Sequence, residues 1–91
     1  MKILENELSE KIKIFNKKDV VIVCNDILEA KFYMNNINIE YSYKTGLLHI
    51  NEERTNNEIN LNIALAYLID LADDILYIRI DNSLDIEIKI K

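Results

Sequence analysis

Glu58-Ile59-Asn60-Leu61-Asn62-Ile63-Ala64-Leu65-Ala66-Tyr67-Leu68-Ile69-Asp70-Leu71-Ala72 is the stretch that decides the architecture, because it carries two periods at once. Ile59, Leu61, Ile63 and Leu65 alternate with Asn60, Asn62 and Ala64, as in a strand with one buried face. Leu61, Leu65, Leu68 and Ala72 recur at the spacing of one helix face. Segment 63–72 is rich in Ala and free of Gly, which favours helix by intrinsic propensity. The balance predicts a helix over residues 58–72, capped by Asn56 or Asn57 and broken by Asp73-Asp74.

Downstream of it the pattern is simpler. Residues 75–81 read as a strand with Leu76, Ile78 and Ile80 on one face, and Asn82-Ser83 as a turn. Leu84, Ile86, Ile88 and Ile90 then alternate strictly with Asp85, Glu87, Lys89 and Lys91. The result is a C-terminal β-hairpin. Residues 84–91 are expected at a sheet edge, open to pairing with a second copy unless Lys89 and Lys91 guard it.

Upstream, Leu4, Leu8, Ile12 and Phe15 fall on one face of an N-terminal helix, with Glu5, Glu7, Glu10, Lys11 and Lys13 opposite. Val20-Val21-Ile22-Val23-Cys24 reads as a strand buried on both faces, followed by a turn at Asn25-Asp26. Leu28, Ala30, Phe32 and Met34 share one face of the next strand, with Glu29 and Lys31 on the other. Ile37, Ile39, Tyr41 and Tyr43 alternate with polar residues, and Gly46, the only glycine, sits where a positive φ is wanted before a shorter strand holding Leu48 and Ile50. This is an antiparallel meander of three to four strands. The expected fold is therefore a single α+β domain over residues 1–91. Its order is N-terminal helix, meander, second helix and C-terminal hairpin, with the helices packed on one face of a curved sheet.

Composition bounds the chemistry. The 91 residues hold sixteen acidic and eleven basic side chains, one His, one Cys, one Gly and no Trp. A single glycine excludes Gly-rich phosphate loops, and with them dinucleotide, P-loop and kinase chemistry. None of Ser9, Ser42 and Ser83 lies in a Gly-x-Ser-x-Gly elbow. His49 reads as a solvent-face strand residue and Cys24 as a small buried hydrophobe, neither with a catalytic or metal-ligand signature around it. Asp70, Asp73 and Asp74, with Asp81 and Asp85, offer carboxylates but no calcium-loop pattern. No enzyme, metal or cofactor is expected.

The charge is unevenly spread: residues 1–18 carry +2 and residues 19–91 carry −7. That field repels nucleic acid and attracts a basic partner, such as a nucleic-acid-binding protein or a nuclease. Two acidic groups are the candidate partner-binding sites, Asp70, Asp73 and Asp74 at the end of the predicted helix, and Glu52, Glu53 and Glu58 before it. Acids at a helix C-terminus oppose its dipole, which suggests that something retains them. Tyr41 and Tyr43 are read as core or core rim, and as interface anchors where that face is only partly covered.

A start interrupted by Glu5, Glu7 and Glu10 does not read as a signal peptide. A lone Cys cannot form an internal disulfide, so a cytoplasmic setting is expected. In size, charge and composition the chain resembles the small acidic proteins of phages and mobile elements, such as anti-CRISPR inhibitors and nuclease-immunity proteins. The likeness rests on no shared residue pattern. It implies a non-enzymatic inhibitor that blocks a basic nucleic-acid-binding surface. The alternative is a structural or assembly protein that forms a homo-oligomer, with a homodimer the simplest case, through its edge strand.

Overall fold

Eight antiparallel strands in two facing sheets make up most of the protein, in a computed structural model that describes residues 3–91. They are β1 (Val20–Asn25), β2 (Glu29–Met34), β3 (Ile37–Ser42), β4 (Leu47–Glu52), β5 (Glu58–Asn62), β6 (Leu68–Ala72), β7 (Ile75–Arg79) and β8 (Asp85–Ile90). One sheet has five strands in the order β2-β1-β8-β7-β6, and the other has three in the order β3-β4-β5. Among the described residues the only helical structure is a short N-terminal segment, with the α turn α1 (Leu8–Lys11) between the 3-10 turns Glu5–Glu7 and Ile12–Phe15.

This overturns the expected α+β layer. The second helix does not exist: its residues split into β5 and β6, on different sheets. The period of two wins because Ile59 lies opposite Ile50 and Leu61 opposite Leu48, placing both against the core. The helical spacing is incidental, since Leu65 is 84% exposed and Ala72 also faces solvent. The chain turns between β5 and β6 at Ala64 to Tyr67, where no Gly or Pro marks a break.

The meander is also divided between the sheets. β1 and β2 form a hairpin in the large sheet, and the chain crosses to the small one at Asn35-Asn36, where Asn36 adopts φ +50°. Asn tolerates that left-handed backbone better than most residues. The last strand is not an edge. β8 sits in the middle of the large sheet, with β1 on one side and β7 on the other. Its expected role as a self-pairing edge is excluded, because both of its rows of backbone groups are already used.

The core lies between the sheets. The large sheet contributes Val20, Ile22, Leu76, Ile78, Ile86 and Ile88, and the small one Ile37, Ile39, Leu48 and Ile50. The N-terminal segment closes one side with Leu8, Ile12 and Phe15, all fully buried. Burial stabilises by about 1.5–3 kcal/mol for each such side chain. Leu4, expected on this face, is exposed, and Ile3 is buried in its place. The Ile3 N–H bonds to the Ile69 carbonyl at 2.8 Å, which turns the chain so that Ile3 faces inward.

The same segment covers the outer edge of β3. The Lys17 N–H reaches the Ile37 carbonyl at 2.7 Å, the Ile37 N–H reaches the Lys18 carbonyl at 3.1 Å, and Asn16 Oδ1 accepts from the Ile39 N–H at 2.9 Å. Lys17 adopts φ +67° to make this turn. A strand edge that would otherwise invite pairing is thereby occupied. Among the described residues no such cover bonds to β2, which ends the large sheet with β1 as its one strand neighbour.

Candidate functional site

The acidic residues singled out in the sequence come to rest in different environments. Asp73 and Asp74 are the two residues of the tight turn between β6 and β7, both exposed, with Ala72 and Ile75 paired beneath them. Asp73 has φ +55°, so an Asp suits the turn on backbone grounds alone. The opposed helix dipole suggested by the sequence plays no part. Asp70 is half-buried on the outer face of β6, directly across from Tyr77.

Glu52 is buried and bonded within the fold. Its Oε2 accepts the Asn35 N–H at 2.7 Å, and its Oε1 accepts the Asn57 side-chain amide at 2.7 Å and the Thr55 hydroxyl at 2.9 Å. The backbone N–H of Asn35, then the Asn57 amide and the Thr55 hydroxyl, hold this carboxyl below the usual range. It pins the β2–β3 crossing to the β4–β5 turn. Glu53 is also engaged, with Lys17 and the Asn36 side-chain amide, and the Lys17 ammonium holds its carboxyl low. Glu58, exposed like Glu53, lies on the open face of the small sheet. Its Oε2 lies 3.7 Å from His49 Nε2, while His49 Nδ1 faces Asn60 Oδ1 at 2.6 Å.

These turns are linked along one rim. The Asp74 carbonyl accepts from the Ile90 N–H, and the Asp19 carbonyl accepts from the Lys91 N–H. Asp19 Oδ1 accepts from the Asn36 N–H, and the Asn36 carbonyl accepts from the Glu53 N–H. The structure thus brings Asp73 and Asp74 onto the same rim as Glu52 and Glu53. Lys17, Lys18 and Lys91 belong to that rim too, so its charge is mixed rather than uniformly negative.

Tyr41 and Tyr43 part company. Tyr41 is in the core, its hydroxyl donating to the Glu5 carboxylate, and burial followed by that bond raises its pKa. Tyr43 is exposed beside the β3–β4 turn. Cys24 packs against the core from β1, and burial pushes its thiol pKa up. His49 lies on the small sheet, on the side away from Leu48 and Ile50. The thiol and the imidazole therefore sit on different sheets and do not meet.

A second surface escaped the sequence. Ile27 (93% exposed) and Leu28 (81%) form the tip of the β1–β2 hairpin, and Phe32 and Tyr33 are exposed along β2. Phe32 and Tyr33, with Lys31, Met34 and Ile59, border a groove between the free edge of β2 and the start of β5. Alternation grouped Leu28 and Phe32 with Ala30 and Met34 on one face without telling whether that face is covered. The one available signal was the pair Ile27-Leu28, adjacent large apolar residues in a turn, where polar ones are the rule.

Among the described residues no helix is long and apolar enough to cross a membrane, and no three His, Cys, Asp or Glu side chains are placed to hold a metal ion. Set against protein-family models, curated proteins and solved structures, the chain matches none.

Proposed function

We propose that this chain is a non-enzymatic protein–protein interaction module of the inhibitor kind, acting in the cytoplasm on a basic nucleic-acid-binding protein or nuclease. Its exposed carboxylates occupy Lys and Arg sites that otherwise hold phosphates. The observation that supports this most is the Asp73-Asp74 turn, exposed on a chain whose residues 19–91 carry a net charge of −7. A tight hairpin turn presents both carboxylates on a rigid scaffold, which limits the entropy lost on docking. Carboxylates make charge-assisted hydrogen bonds to guanidinium and ammonium groups much as phosphates do. Asp70, on the outer face of β6, and Glu58, beside His49 on the small sheet, are the further carboxylates proposed to take part from their own faces, while Glu52 and Glu53 serve the fold.

The experiment is a pair of captures from the native host, one with the wild-type chain and one with Asp73→Lys/Asp74→Lys. The captured partner is then tested for nucleic-acid binding. The expected partner is basic, binds the wild type less tightly as salt rises, is retained poorly by the reversed variant, and loses its nucleic acid when the wild type is added. A partner that holds this chain and nucleic acid together, or that binds both variants equally, refutes the proposal.

A further inference from the structure

The free edge of β2 carries a charge order that matches itself. From its start the strand reads Glu29-Ala30-Lys31-Phe32-Tyr33-Met34, and the exposed hairpin tip Ile27-Leu28 precedes it. Glu29, Lys31 and Tyr33 lie beside Val21, Val23 and Asn25 of β1 on the outer face of the sheet, while Ala30, Phe32 and Met34, paired with Cys24, Ile22 and Val20, take the inner side. In a twofold antiparallel pairing, directly opposite residues share a face, so a residue of the strand must lie opposite its own copy. Few registers satisfy this. Centring on Lys31 sets two ammonium groups face to face, and centring on Glu29 does the same with two carboxylates. Centring on Phe32 sets Lys31 against Tyr33.

Centring on Ala30 is different. It places Glu29 opposite Lys31 of the second copy and Lys31 opposite Glu29, two complementary pairs at cross-strand distance. On the other face, small Ala30 meets Ala30 at the axis. The exposed tip Ile27-Leu28 of each copy is carried toward the Phe32 end of the other, and the unpaired backbone of β2 gains a ladder.

We propose that β2 is a self-association edge, and that two copies join there, centred on Ala30, into one continuous ten-stranded antiparallel sheet. The occupant is a second copy because the charge sequence of the edge complements itself in that register. The dimer leaves the β6–β7 turn, at the far edge of the large sheet, uncovered, so it stands or falls independently of the basic-partner proposal.

Light scattering behind gel filtration, across a concentration series, tests it. The wild type is expected at twice the 10.7 kDa chain mass at high concentration. Lys31→Glu sets like charges opposite one another twice and is expected at the single-chain mass, while Glu29→Lys/Lys31→Glu restores both pairs and the doubled mass. A second measurement fixes the register: in a Cys24→Ala background, Ala30→Cys is expected to oxidise to a covalent dimer and Phe32→Cys is not. A wild type that stays at the single-chain mass at every concentration, which would assign the edge to a strand of some other protein, overturns the proposal. So does a dimeric Lys31→Glu chain, a double variant that remains single, or a cross-link at position 32 in preference to 30.

Discussion

Gly46 lies so close to Ala64 that a Cβ built on it would come within 2.5 Å of the Ala64 Cβ and 3.0 Å of the Ala64 Cα. The Ile63 N–H donates to the Gly46 carbonyl at 2.8 Å in the same contact. The turn between β3 and β4 thus holds the point at which the chain leaves β5 for the other sheet. Gly46 also has φ +71°, a backbone that a side chain strains. Gly46→Ala is expected to destabilise by about 2 kcal/mol from overlap and backbone strain together. Adding Ala64→Gly should recover part of the loss by removing the nearest atom, while the strain stays. Urea midpoints of the three chains check both statements.

That contact also explains why the decisive stretch misleads. Ile59, Leu61 and Ile63 are legible as a strand, and Ile69 with Leu71 belongs to another, but nothing between them marks the break. The glycine that permits it is on a different turn, so the signal is non-local and no window of residues contains it. The strand at Val20–Asn25 was legible from its unbroken β-branched run, and the hairpin pattern of 75–90 and the burial of Leu8, Ile12 and Phe15 from strict alternation and helical spacing. Which strands lie at edges was not legible. β8 and β2 look alike in sequence, each alternating apolar with charged residues, and only the sheet order separates the buried centre from the open rim. For the candidate site, the exposed turn Asp73-Asp74 could be read from two adjacent aspartates. The buried role of Glu52 could not, since its partners come from three separate positions.

Glu52 makes the fold sensitive to acid. Its carboxyl is held below the ordinary range when folded and returns to that range on unfolding, so the unfolded chain takes up the proton first as pH falls. The stabilisation is whole above the ordinary carboxylate pKa and is lost as pH drops through the depressed folded value. Glu53 and Asp81 are shifted the same way, Asp81 chiefly by the Ser83 backbone N–H. The wild-type Tm is expected to decline below about pH 4.5. Glu52→Gln should lower Tm at pH 7 by roughly 5 °C or more and flatten that decline. Calorimetry from pH 2 to 7 on both chains measures it.

Ile3 and Leu4 give a sharp comparison of neighbours. Ile3 is buried, with its N–H bonded to β6, while Leu4 is exposed. Ile3→Ala is expected to cost about 2 kcal/mol or more, and Leu4→Ala to fall within roughly 0.5 kcal/mol of the wild type. Chemical denaturation of each variant decides. Equal losses would mean that the first residues do not pack as described.

Cys24 should be a slow nucleophile. Burial raises its thiol pKa, so the thiolate fraction at neutral pH falls below that of a free cysteine. Alkylation by iodoacetamide at pH 7.5 is expected to be at least roughly tenfold slower in the folded protein than in the denatured chain. Mass spectrometry over time reads the two rates.

The central place of β8 governs how the chain assembles. Val20 to Asn25 cannot acquire one of its two neighbours until Asp85 to Ile90 has been synthesised, some sixty residues later. A polypeptide leaving the ribosome can complete the β3–β4–β5 ladder early. Its larger sheet must wait as an unclosed hairpin with Ile22 and Val20 bare to water. Long-range pairing of this kind slows folding and prolongs exposure to aggregation. The span from 85 to 90 is therefore the place where a nonsense codon or a frameshift would leave an unfolded chain rather than a shortened, working one.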